Sequence, residues 1–258
     1  ILPAVRKFAE QLERLELAAR EAATGQRSVL TIGAITAAMV EVLPSLVAKL
    51  KRTHPDVTLA MREIDSVEAV PLLQSGDIDL AFARLDGELG GGIQSLPLCE
   101  DRLAIALHKE HPLAGRSRIR LAALAEDEFV MFHRRVSPGY FDNLVSACRN
   151  AGFAPRIVHE VSSVASQLAF VGCGQGIALV PSAMKKLAPD RVVVRPLTEK
   201  TGVVTTAVAW NAARDNPLVA ATLNTLKVGA GGTATTAASG GDTRPVQGSR
   251  GRAAVRRP

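Results

Sequence analysis

The stretch "QLAFVGCGQGIALVP" (residues 167–181) sets three glycines within five positions, and what flanks them decides how the chain folds. A phosphate-cradling turn has a strand before its glycines and a helix after them, so that the phosphate meets free N–H groups at the helix start. Here the order is reversed. "SQLAFV" (166–171) has the character of a helix, and "IALVP" (177–181) that of a strand. The glycines therefore close a helix. Gly172 or Gly174 takes the left-handed position after its last turn, and Gly176 lets the chain enter a sheet tightly.

Outward from this loop, short apolar runs alternate with amphipathic stretches. Towards the N-terminus, strands are predicted at "VLTIGAI" (29–35), "VTLAMREI" (57–64), "IDLAFARL" (78–85), "LAIALHKEHPLA" (103–114, with a turn at His111-Pro112), "EFVMFH" (128–133) and "RIVHEV" (156–161). Helices are predicted over 38–54, broken in by Pro44, over 66–74 up to Gly76, over 139–151 up to Gly152, and over 163–172. Beyond the loop come a short helix (182–188), strands near 191–197 and 203–210, and a last helix (215–228). Such alternation means an α/β fold with mostly parallel sheets.

The two ends differ from this middle. In residues 1–24, Val5, Phe8, Leu12, Leu15, Ala19 and Ala22 recur at alternating steps of three and four, a heptad seam that predicts a helix meeting the same helix of a second subunit, with packing on its own domain as the alternative. Residues 229–258 hold five arginines against Asp242 alone. That accounts for +4 of the net +6 and leaves +2 for residues 1–228, so the basic balance describes the tail and not a nucleic-acid-binding body. With almost nothing large and apolar, the tail is expected to be disordered. The 258 residues, 47% of them hydrophobic, suffice for one large or two modest domains. No apolar run reaches the roughly 18 residues of a membrane helix. No leader pattern stands at the start. Cys99, Cys148 and Cys173 are widely spaced and odd in number, which predicts buried free thiols and a reducing cytoplasm.

"LTIGAITAAMVEVLPSLVAKLKRTHPDV", "EIDSVEAVPLLQSGDIDLAFARL", "LAIALHKEHPLA" and "QLAFVGCGQGIALVP" stand in this order behind a heptad helix. Together they resemble the linker helix and effector-binding region of a LysR-type transcriptional regulator, over residues 1 to about 228. The resemblance implies two Rossmann-like α/β subdomains of periplasmic-binding-protein type II kind behind a long linker helix (1–26), with two crossing segments around a cleft. Residues 28–99 plus 213–228 would form the first subdomain and 100–212 the second. It also implies dimerisation through Val5, Phe8, Leu12 and Leu15, giving a homodimer or homotetramer. This chain shows no winged helix-turn-helix ahead of the linker, so DNA would be reached only through a segment outside it. The local pattern is most similar to sensors of aromatic or unsaturated carboxylates.

Strand ends and helix starts line the crevice of such a fold. Three turns there supply donors: Thr36-Ala37, Ser66 and Ser163. The hydroxyls of Ser66 and Ser163 read equally as N-caps. By the resemblance, Ser66 occupies the position whose hydroxyl meets an effector carboxylate. Ala37 falls where related sensors place a hydroxyl, which neighbouring Thr36 can supply, and Arg84 matches a cleft-side arginine. An arginine at a strand end is as often a structural partner. In "FHRRVSPGYF" (132–141), Arg134 and Arg135 project to opposite sides of a strand, so one of them, Arg135 by preference, can grip a carboxylate with its fork. His108 and His111 lie on a strand and turn with no third ligand nearby, so no metal site is expected. No nucleophile–histidine–acid order or paired carboxylate points to an enzyme, and no cofactor is expected. The expected partner is a small anionic effector, with no membrane involved. An exported solute-binding protein of the same fold is the alternative; it would carry a leader and lack the heptad helix.

Overall fold

The computed structural model describes residues 29–85, 89–199 and 203–230. The heptad segment with Val5, Phe8, Leu12 and Leu15, and the tail from residue 231 onwards, lie outside the described residues.

Strand β1 (Val29–Ala34) lies between β2 (Thr58–Glu63) and β3 (Leu80–Ala83), parallel to both. The crossover from β1 to β2 carries two helices, α1 (Thr36–Glu41) and α2 (Leu43–Thr53). They are separate because Pro44 has no N–H and fits only the opening turn of a helix, so the helix predicted over 38–54 starts anew there. Between β2 and β3 the chain forms a 3-10 turn, Ser66–Glu68, and helix α3 (Ala69–Ser75), which ends at Gly76 with φ +79°.

The next strand, β4 (Ile93–His108), is 16 residues long and belongs to two sheets. Its first part, Ile93–Arg102, pairs antiparallel with β9 (Val203–Asn211), and β9 in turn pairs antiparallel with β3. Its second part, from Leu103, pairs antiparallel with β7 (Ala178–Pro181) and β8 (Val192–Pro196). The sequence predicts only 103–114 as strand. It assigns no element between 85 and 103, where a register shift between Pro97 and Cys99 absorbs the proline, which cannot donate to a ladder. The pairing also places β9 in the first sheet, beside β3, whereas the boundary 100–212 assigns it to the second subdomain.

The second half adds the parallel pair β5 (Glu128–Phe132) and β6 (Arg156–Val161), with α4 (Pro138–Asn150) between them and α5 (Val164–Gly172) after β6. After α5 comes the glycine loop. Gly174, at φ +70°, makes the left-handed turn, and its N–H donates to Val171 O at 3.0 Å. Gly176, at φ +127°, passes so close to β5 that an added Cβ would stand 2.6 Å from Glu128 O. The neighbouring Ile177 N–H donates to that same oxygen at 2.7 Å. The glycines thus seat a strand, as the inverted flanks predict. Residues Ser182–Leu187 form a 3-10 turn rather than an α-helix. Helix α6 (Pro217–Ala230) returns to pack on α2, its start fixed by Asn216, whose side chain accepts from Leu218 N and donates to Asp79.

Leu30, Ile32, Leu80 and Phe82 are fully buried in the first half, and Ile105, Leu107, Leu121, Leu124 and Phe129 in the second. Each such side chain contributes about 1.5–3 kcal/mol of transfer free energy. Gln167 is also fully buried; its amide donates to Val130 O at 2.8 Å and so ties α5 to β5. Cys148 is buried and its thiol is pushed up to about 11 by burial, but Cys99 is half-buried and Cys173 is exposed at the end of α5. The expectation of three buried thiols holds for Cys148 alone.

Candidate functional site

Five parallel strands, β1, β2 and β3 in one half and β5 and β6 in the other, end at a common cavity of about 250 Å³. One wall is made by Thr36 and Ala37 after β1, by Glu63 to Ser66 and Glu68 around the end of β2, and by Arg84 after β3. The facing wall is made by Phe132 at the end of β5, Val136 and Ser137 before α4, and Ser162 to Val164 where α5 begins. Carboxyl ends of strands leave helix starts and their N–H groups pointing into such a crevice.

Ser66 is buried, and its Oγ accepts from Arg84 N at 3.3 Å, linking the ends of β2 and β3. It does not cap the turn that follows. Asp65 and Glu68 do so as a capping box, with Asp65 N donating to Glu68 Oε2 at 2.8 Å. Thr36 turns its hydroxyl onto Glu63 Oε1 at 2.6 Å, while Ala37 is buried at the wall. Arg84 reaches across to the other half, its guanidinium carbon 4.1 Å from the centroid of the Tyr140 ring. Tyr140 is itself held edge-on against Phe132. Ser163 is the N-cap of α5: its Oγ accepts from Ser166 N at 3.1 Å, and it also lines the cavity.

The arginine pair is placed differently from the sequence expectation. Strand β5 ends at Phe132, so Arg134 and Arg135 lie on a turn and the two-residue alternation of a strand does not govern them. Arg134 points to solvent and grips Asp142 in two hydrogen bonds, Nε to Oδ1 at 2.9 Å and Nη2 to Oδ2 at 2.8 Å. That bond holds the Asp142 carboxyl below its usual range. Arg135 is exposed and is not part of the cavity wall, although its charge is felt at Asp65. His111 is likewise occupied, its Nε2 3.1 Å from Asp127 Oδ1 and its Nδ1 accepting from Leu113 N. Among the described residues no three His, Cys, Asp or Glu side chains converge as a metal set.

Sequence reasoning missed the acidic part of the wall and Ser137. Glu63, Asp65 and Glu68 all line the cavity. Asp65 has its carboxyl raised, first by burial and then by the charges of Glu68 and Glu63, with Arg135 acting in the opposite direction. Asp65 and Glu68 were legible as a capping-box pattern, D-x-x-E. Nothing in "SPGY" distinguishes Ser137 from an ordinary cap before a proline. In the structure Ser137 is 6% exposed, makes no capping bond and borders the cavity.

Residues 23–230 match the family described as the LysR substrate binding domain. The HTH-type transcriptional regulator TtuA of Agrobacterium vitis is 30% identical over 217 residues, which are 83% of this chain and 71% of that protein. The HTH-type transcriptional regulator BudR of Raoultella terrigena is 31% identical over 166 residues, 64% of this chain and 57% of that protein. The chain therefore spans about 57% to 71% of the length of these relatives. Three solved structures share the fold. The BenM effector binding domain with its effector benzoate superposes with a TM-score of 0.68 at 22% identity, covering 78% of this chain and 90% of that one. CbnR, a LysR family transcriptional regulator, gives 0.76 at 21%, covering 89% and 79%. The effector binding domain of QuiR in complex with shikimate gives 0.71 at 19%, covering 80% and 99%. With the family matched over most of its length and its strands feeding one shared crevice, the chain belongs to the LysR family of transcriptional regulators, as an effector-binding domain of periplasmic-binding-protein type II fold.

Proposed function

We propose that this domain senses a small carboxylate effector in the cavity between its two halves and passes that signal to a DNA-reading segment outside the chain. The observation that carries the reading is the convergence of Arg84, the buried Ser66 hydroxyl and the opening of α5 on one cavity of about 250 Å³. A guanidinium and hydroxyls at strand ends offer a carboxylate charge-assisted hydrogen bonds, which contribute about 1.5–3 kcal/mol each. Benzoate and shikimate, the ligands named for two structures of this fold, are both small ring carboxylates. Phe132 and Val136 supply apolar surface for a ring. Arg134, tied to Asp142 outside the cavity, takes no part in this reading.

In this reading the protein binds and does not catalyse. It works in the cytoplasm with its promoter, and pairs through the heptad helix as a homodimer or homotetramer. Among the described residues no helix is long and apolar enough to cross a membrane. The effector acts by population shift: it binds the closed cleft better and so draws the paired subunits towards the arrangement that goes with closure. Isothermal titration of the chain with a series of small carboxylates tests the site. Arg84→Ala is expected to weaken the best of them by about 10–100-fold, the loss of one charge-assisted contact. Binding of equal strength in Arg84→Ala would remove the cavity from consideration as the carboxylate site.

A further inference from the structure

The cavity is not a simple anion trap, because its charge is of the wrong sign. Glu63, Asp65 and Glu68 line it against the single guanidinium of Arg84. Among the described residues none of the three carboxylates is in an ion pair. Glu63 takes the Thr36 hydroxyl and Glu68 a backbone N–H, neither of which neutralises a charge. Asp65 already shows the crowding, its carboxyl raised by burial and by the other two. An effector bearing only negative charge would add to that repulsion in a partly desolvated space.

The facing wall is of different character. It has no charged side chain: Ser137, Ser162 and Ser163 and the first turn of α5 stand among Phe132, Val136 and Val164. Ser137 is the independent sign that a ligand belongs here. It is 6% exposed, it borders the cavity, and no hydrogen bond to its hydroxyl is formed within the described residues. A serine side chain this closely packed, with its hydroxyl left to the cavity, can take a ligand there. One wall is thus acidic and short of cations, and the other offers donors.

We infer that the effector is a zwitterion, a small amino carboxylate whose ammonium group lies against Glu63 and Asp65 and whose carboxylate takes the donors of Arg84, Ser66 and Ser137. The inference rests on the reading of this cavity as a carboxylate site and narrows its ligand class. An ammonium supplies the charge that the acidic wall is short of, and its three donors match carboxylate oxygens that are in no ion pair among the described residues. Ser137 then acts as a carboxylate contact contributed by the second half, common to every acid that binds.

The test uses matched sets that differ at one group: phenylalanine, 2-hydroxy-3-phenylpropionate and 3-phenylpropionate; leucine and its hydroxy and unsubstituted acids; 4-aminobutyrate, 4-hydroxybutyrate and butyrate. Each is titrated into the intact chain by calorimetry, with thermal melting as a second readout. In at least one set the amino member is expected to bind ten times more tightly than both counterparts. That preference should vanish in a Glu63→Gln/Asp65→Asn protein, whose folding is checked by its melting transition. Ser137→Ala should weaken the amino and unsubstituted acids alike. Amino members no better than their counterparts in every set overturn the inference, as does a preference that survives the double substitution. If unsubstituted or hydroxy acids bind and lose affinity in Arg84→Ala, the carboxylate site stands and the zwitterion alone falls. If none of the nine compounds binds, both fall.

Discussion

At Asp65 one side chain serves two ends. It opens the 3-10 turn as part of a capping box with Glu68, and it faces the cavity beside two other carboxylates. Its carboxyl is raised above the ordinary value, chiefly by burial. An acid whose pKa is higher folded than unfolded binds protons more tightly in the folded state. Its effect on stability is therefore most favourable below the ordinary carboxyl range and declines as pH rises through the window up to the raised value. Asp65→Asn keeps the capping chemistry and removes the charge. The variant is expected to melt higher than the parent at about pH 7, and the gap should close as the pH falls through the ordinary carboxyl pKa near 4. Melting curves across that range decide the point; a variant less stable at neutral pH would contradict it. Ser66 was legible as a hydroxyl at a turn before a helix, and Arg84 only through the resemblance to the family. Ser137 and the acidic wall were not, because a capping serine and solvated acids look the same in sequence whether or not a cavity lies against them.

Among the elements, α5 and β4 mark the limits of local reading. Helix α5 was legible at both ends: Ser163 caps it, and the glycines behind it turn the chain into β7. Because the Ser163 hydroxyl accepts from Ser166 N, Ser163→Ala is expected to cost about 1 kcal/mol, with Ser163→Asp close to the parent. Urea unfolding with an unchanged slope provides the measurement, and equal midpoints for Ala and parent would show that the cap contributes nothing. Strand β4 was legible only in its apolar second part. Its first part mixes apolar and polar residues without a clear alternation, contains Pro97 and is strand because β9 lies beside it. The same pairing draws β9 next to β3. Register between segments more than a hundred residues apart leaves little local signature, since β-propensity depends on cross-strand neighbours. The turn at Arg134 and Arg135 follows the same rule: β5 stops one residue early, and strand alternation no longer sets where those side chains go.

For the whole molecule, β4 runs from one half into the other, because its partners change from β9 to β7 and β8 between Arg102 and Leu103, and the chain returns between β8 and β9. Arg84 on Tyr140 is a contact between the two halves beside the cavity, a cation–π pair of about 0.5–2 kcal/mol. Binding of an effector that touches both walls should favour the closed arrangement. Small-angle scattering of the chain is expected to give a smaller radius of gyration when the tightest-binding acid is saturating. An identical radius with and without that acid would argue for a receptor that does not close. The sequence by itself determined the α/β class of fold and the sense of the glycine loop, because periodicity, caps and breakers are written in neighbouring residues, and the order of its motifs carried the resemblance to the family. The mostly parallel sheets it predicts are instead mixed, with β4 and β9 paired antiparallel. Only the tertiary structure decided the two-sheet role of β4, the place of β9, the removal of Arg134 and Arg135 from the cavity wall, and the acidic character of that wall. Each of these depends on which distant segments come to lie side by side, and long-range packing sets that rather than local preference.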